Sequence, residues 1–179
     1  MYKHYFKIVL LLIAFFSLSG CVGVPKGVTT VNGFEIDRYL GEWYEIARLD
    51  HSFERGLTNV SANYSLREDG GVKVINKGYD PVKNEWNEAE GKAYFVGDKS
   101  LGQLKVSFFG PFYGAYNILK LDKKDYQYSL VSGPDFSYLW ILARSPDLDQ
   151  SVKNSLISYA KEKGFATDQL IFVSHGKVK

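Results

Sequence analysis

Gly41-Glu42-Trp43-Tyr44-Glu45-Ile46-Ala47-Arg48 opens a strand-like run, and Tyr138-Leu139-Trp140-Ile141-Leu142-Ala143-Arg144-Ser145-Pro146 closes a series of such runs much later in the chain. A Trp at the start of a first strand and an Arg at the end of a last one can seal one end of a β-barrel. The guanidinium stacks over the indole, and the other end stays open as a cup. Gly-x-Trp alone is a weak signal. Gly41-x-Trp43 followed by an aromatic, a Gly133-Pro134-Asp135 corner and a strand-ending Arg144 is a specific one.

Between these two stretches, short runs alternate with turn residues. Strands are expected over 41–49, 58–67, 72–79, 85–96, 101–109, 113–121, 126–132 and 138–144. Glu68-Asp69-Gly70-Gly71 and Asp122-Lys123-Lys124-Asp125 mark hairpins between them. One helix follows. Ser145 is placed to cap it, Pro146 suits its first turn, and Leu148, Val152, Leu156 and Tyr159 recur at helical spacing before Gly164. A last strand over 170–173 is expected to pair with the first. The fold class is all-β, an eight-stranded antiparallel up-and-down barrel with one C-terminal helix packed outside.

Tyr39-Leu40-Gly41-Glu42-Trp43-Tyr44-Glu45-Ile46-Ala47-Arg48 and Phe108-Phe109-Gly110-Pro111-Phe112-Tyr113 resemble the lipocalins, and within them the bacterial lipoprotein branch akin to apolipoprotein D. The resemblance spans about Val31 to Val173. It implies a cup-shaped barrel for a hydrophobic ligand, closed structurally by Gly41, Trp43 and Arg144. With phases set by alternation and by this resemblance, Trp43, Glu45, Ala47 and Leu49 share the inner side of the first strand. The expected ligand-lining residues are Val60, Ala62, Tyr64, Val74, Ala93, Val106, Phe108, Tyr116, Ile118, Tyr138 and Trp140. Val72, Asn76, Ala89, Gly91, Leu104 and Leu142 are also expected to point inward. Small residues among aromatics leave volume unfilled, so a cavity is favoured over a packed interior.

The amino terminus is informative independently. Lys3 and Lys7 precede an apolar run over 8–18 that is too short to span a bilayer core, so it reads as a secretory signal. Leu18-Ser19-Gly20-Cys21 matches the bacterial lipobox, which implies cleavage after residue 20 and acylation of Cys21. Val22 rather than Asp follows the cysteine, which favours the outer membrane, facing the periplasm. The expected organisation is a signal over 1–20, a lipidated tether over 21–32 and a barrel domain over 33–179. Cys21 is the single cysteine, so no intramolecular disulfide is available. Loss of Lys3 and Lys7 leaves 20 basic against 20 acidic residues, with no basic stripe for nucleic acid.

An alkyl chain suits the predicted walls, because burial of each CH₂ contributes about 0.8 kcal/mol without any charge contact. The family implies fatty acids or lysophospholipids as ligands, and the membrane, through acylated Cys21, as the other partner. Glu45 must be paired or neutral if it points inward, and a structural bond is favoured over a ligand contact. Phe109, Phe112 and Tyr113 around Gly110-Pro111 are open to three readings: a gate, a membrane contact, or packing against neighbouring loops. A homodimer through them is a further option.

Catalysis and metals are not expected. His51 and His175 lack ligand-spaced partners, and the adjacent letters of Asp50-His51-Ser52 cannot form a relay. No cofactor is expected. The readings that remain are a carrier of fatty acids or lysophospholipids, a structural lipoprotein with a filled barrel, and a carrier of another small hydrophobic ligand.

Overall fold

The computed structural model describes residues 22–177. Nine strands form one sheet: β1 (Gly41–Arg48), β2 (Thr58–Leu66), β3 (Val72–Asp80), β4 (Glu85–Phe95), β5 (Gln103–Ser107), β6 (Gly114–Leu121), β7 (Tyr128–Ser132), β8 (Leu139–Ala143) and β9 (Ile171–Phe172). Each strand from β1 to β8 pairs antiparallel with the next, and β8 returns to β1. The eight-stranded barrel is therefore closed, and the β3–β4 hairpin projects beyond it, with β4 paired to β5 only from Lys92 to Phe95. β9 pairs with Ala47 and Arg48 on the outside of β1. A short helix, α1 (Ile36–Tyr39), leads into β1, and α2 (Gln150–Lys163) follows β8.

Two apolar clusters divide the molecule. One fills the lower barrel around Trp43, Leu104, Ile118, Val131 and Leu142. The other lies outside, where Ile46, Leu130, Leu139 and Ile141 meet Leu156 and Ala160 of α2. The helix starts later than the Ser145-Pro146 signal suggested. Asp149 accepts from the Ser151 and Val152 amides at 2.8 and 3.2 Å. A carboxylate at that position satisfies two free N–H groups and complements the positive end of the helix, where Ser145 Oγ meets only the Asp147 amide. Gly164 ends the helix in the left-handed region, as expected.

β1 departs from simple alternation. Its register against β8 jumps between Glu45↔Leu142 and Ala47↔Ile141, a bulge that reverses side-chain parity. Ala47 and Leu49, expected to share the side of Trp43, therefore join the outer cluster, and Arg48 turns into the barrel. The carbonyls released by the bulge find partners in the carboxyl-terminal segment. Val173 N donates to Ile46 O at 3.0 Å, and a His175 ring nitrogen lies 2.7 Å from Glu45 O.

β7 starts at Tyr128 rather than at Tyr126, because Tyr126 adopts φ 55° and its amide closes the turn onto Asp122 O. Its ring drops into the barrel floor instead. The segment expected to be a tether is held to the barrel over most of its length. Gly23 O accepts from Asn117 Nδ2 at 3.0 Å, Pro25 and Val28 are buried, and Val31 bonds to Ile118 O and Gly102 N. Cys21 and the signal lie outside the described residues.

Candidate functional site: a barrel with a sealed floor and an open mouth

The floor is built on Trp43. The indole is fully buried, stacks on Tyr39 at 4.5 Å and donates from Nε1 to Tyr39 O at 2.8 Å. Arg144 Cζ lies 4.1 Å from the centroid of the Trp43 ring on the other side. Its guanidinium also donates to Glu42 O and Arg38 O, each at 2.8 Å, which ties three segments together. Gly41 has φ +90°, a backbone conformation that favours glycine, and lies beside the Arg144 guanidinium. Tyr126 completes the floor beneath the Arg38 guanidinium, 4.2 Å from its ring centroid.

Above the floor, three tyrosines share their hydroxyls. Tyr116 Oη lies 2.8 Å from Tyr39 Oη and 2.9 Å from Tyr64 Oη, and Tyr39 also donates to Ser129 Oγ. Burial pushes Tyr39 up to about 12 and raises Tyr64 and Tyr116 as well, so all three are neutral at physiological pH. The sequence places Tyr64 and Tyr116 among the residues expected to line the ligand site. In the fold their hydroxyls are already paired with each other's network.

One wall carries a buried charge cluster. Arg48 Nη1 donates to Glu45 Oε1 at 2.6 Å, and Nη2 donates to Glu54 O at 2.6 Å. Trp140 Nε1 donates to Glu54 Oε2 at 3.2 Å. His51 Nε2 stands 3.3 Å from that same oxygen without hydrogen-bond geometry, and its ring stacks under Phe53 at 4.0 Å. These bonds fold the loop between β1 and β2 inward. Glu45 thus has the structural bond expected of it, made to Arg48. Arg48, His51 and Glu54 were not foreseen. The polar pair Glu45 and Arg48 at odd spacing within an alternating strand was the available signal.

One guanidinium cannot neutralise two carboxylates. Burial, then the nearby Glu54, pushes Glu45 up to about 8 against the pull of Arg48. Burial raises Glu54 too, and burial followed by Arg48 lowers His51 to about 4. The folded state therefore holds carboxyl protons that the unfolded chain releases, so this contribution to stability falls as pH rises from about 4.5 to about 8. His51 acts oppositely, but only below its ordinary value of 6.5. Stability is expected to decline between 6.5 and about 8, where the carboxylates act alone, and Glu45→Gln is expected to flatten that decline. Urea midpoints across this range check it; a flat wild-type profile would contradict it.

The opposite wall is different. Val74 pairs with Gly91 and Asn76 with Ala89, so these side chains share the inner face with buried Val72 and Ala93. Yet Ala62 and Asn76 are only half-buried, and Ala89 is exposed. The inward-facing Val106, Phe108, Tyr116 and Trp140 likewise keep accessible surface. The inner face of the upper barrel is therefore open to solvent, with small residues on one side and aromatics on the other. The Phe108 ring lies across Gly91, where an added Cβ would stand 2.8 Å from it.

Of the expected lining residues, Ala62, Val106, Phe108, Tyr116 and Trp140 line this open face. Val74, Ala93, Tyr64 and Ile118 belong to the packed lower cluster. Val60 is buried beside Leu57 over Gly78, and Tyr138 is half-buried, stacked with Trp140 and His51. At the rim, Phe109 and Phe112 are 82% and 66% exposed. Tyr113 separates from them and packs on Tyr94 with Lys105 over its ring.

A closed antiparallel eight-stranded barrel, a Trp–Arg floor, an open mouth and a helix on the outside define a small-ligand cup. The chain belongs to the lipocalin family: the model of a lipocalin-like domain matches residues 34–175. Among relatives, it is 54% identical over 156 residues to outer membrane lipoprotein Blc of Vibrio cholerae serotype O1, covering 87% of this chain and 91% of that one. It is 37% identical over 139 residues to apolipoprotein D of Rattus norvegicus, covering 74% and 70%. Among solved structures, insecticyanin from the tobacco hornworm Manduca sexta superposes with a TM-score of 0.70 at 20% identity, covering 87% of this chain and 88% of that one. That last likeness concerns the fold alone.

Proposed function

We propose that the protein binds single-chain lipids, fatty acids or lysophospholipids, in the upper barrel, and that acylated Cys21 holds it at the bilayer. Its location is the outer membrane, the compartment printed in the names of its Blc relatives. The periplasmic orientation is read from the lipobox and from Val22. The observation that carries the ligand reading is the accessible inner wall of Ala62, Asn76 and Ala89 above a sealed floor. An alkyl chain fits such a wall because its affinity grows with buried CH₂ groups and needs no charged partner. The buried Glu45–Arg48–Glu54 cluster supports this reading: Glu45 bonds Arg48 and the Glu54 carboxylate bonds Trp140, so both carboxyl groups have partners within the protein. The protein is read as a binding protein rather than an enzyme.

The test is a titration of the delipidated domain, begun after Cys21, with a lysophospholipid while Trp fluorescence is followed. Saturable one-to-one binding is expected, with most of the signal lost in Trp140→Phe. Absence of binding by both lysophospholipid and fatty acid would remove this reading.

A further inference from the structure

The amino-terminal segment takes a defined path along the barrel. Phe34 and Val31 lie at the floor end, bonded to Ser100 and Gly102 in the turn between β4 and β5. From there the segment crosses the outer face of β6 and β7, burying Val28 and Pro25. It reaches Gly23 beside the turn that follows β7. Asn117 Nδ2 clasps both ends of this contact, donating to Gly23 O at 3.0 Å and to Gly133 O at 2.9 Å. The turn after β7 is at the open end, the same end as the β1–β2, β3–β4 and β5–β6 turns.

Both ends of the barrel carry exposed charges, among them Arg55, Lys83 and Asp135 at the open end, but they differ in exposed apolar side chains. Phe53, Val82, Phe109 and Phe112 are the large exposed apolar side chains on the open-end turns, at 60%, 92%, 82% and 66%. The floor-end turns carry exposed Glu68, Lys99, Lys123 and Lys124, with Leu66 the exposed apolar side chain there. Gly23 lies two positions from Cys21, with Val22 alone between them, a reach of about 7 Å even when fully extended. An acylated Cys21 would bring the bilayer surface beside the open end and leave the floor turns pointing away.

We infer that the docked segment acts as a short leash that holds the barrel mouth against the lipid surface, with Phe109 and Phe112 seated among the lipids. Ligand then enters and leaves directly between the membrane and the cup. This rests on acylation of Cys21 as proposed above.

The acylated full chain, reconstituted in vesicles of phosphatidylethanolamine and phosphatidylglycerol, tests it. Thioether formation consumes the one native thiol, so Phe112→Cys and Lys123→Cys each offer a single site for a spin label. At position 112 the label is expected to relax with oxygen and to be shielded from a water-soluble nickel chelate. At position 123 the reverse is expected. A flexible Gly-Ser insertion between Cys21 and Gly23 is expected to reduce shielding at 112 toward the value at 123.

Equal nickel access at both positions in a chain of confirmed acyl mass overturns the orientation alone. Shielding of position 112 in the dilute unacylated domain overturns it in favour of a second copy covering the mouth. Unchanged shielding in the insertion variant overturns the leash. A chain without acyl mass overturns the anchoring reading and this inference together.

Discussion

Trp43→Ala is expected to lower unfolding free energy by about 3–5 kcal/mol, the range for removing a large aromatic from a packed core. The site cannot easily collapse around the loss. Tyr39 stacks on one face of the indole, Arg144 covers the other, and the Nε1 bond to Tyr39 O holds α1 against β1. Arg144→Ala is expected to cost less, since its guanidinium is half-exposed and the carbonyls of Glu42 and Arg38 can turn to water. Urea unfolding of both variants checks the order. A Trp43→Ala loss smaller than the Arg144→Ala loss would contradict a floor organised around the indole.

Arg48→Met is expected to be as damaging above the raised Glu45 range, again about 3–5 kcal/mol, because there it strands ionised Glu45 and Glu54 in the wall without a counter-charge. It also removes the bond to Glu54 O that folds the β1–β2 loop inward. The loss is expected to shrink as pH falls through the raised Glu45 range, because a protonated carboxyl needs no guanidinium. Adding Glu45→Leu to Arg48→Met is expected to recover much of the loss, since an apolar replacement of a buried pair is often neutral. A single-variant loss that is independent of pH would place the cost in packing rather than charge.

The barrel was legible because its signals are local. Hairpin residues such as Glu68-Asp69-Gly70-Gly71 stop strands where the structure stops them, and Trp43 with Arg144 announces the closed end. The inner face of β1 was only half legible. Alternation predicts parity for an unbroken ladder, and the bulge at Glu45–Ala47 turns Ala47 and Leu49 outward. That bulge is supported outside by Val173 and His175, distant in the chain, and inside by Glu54 of the following loop, which no alternation within the strand records. The docked segment from Gly23 to Val31 escaped notice for a related reason. It makes isolated bonds to Asn117, Ile118 and Gly102 rather than a ladder, so it has no period to read. At the cavity the residue types were legible, but the depth was not. Ile118 and Ala93 have the right parity for a lining, yet the floor aromatics Phe34, Tyr39 and Trp43 share one packed cluster with them.

The central claim is that the accessible wall around Ala62 and Ala89 holds an alkyl chain. Native mass spectrometry of the delipidated domain with lysophosphatidylethanolamine tests it most directly, with Ala62→Phe as the variant that fills the space. A single lipid adduct on the wild-type domain, strongly reduced in a stably folded Ala62→Phe, is the predicted result. An adduct of equal occupancy in the filled variant, or none in either protein, would contradict the account.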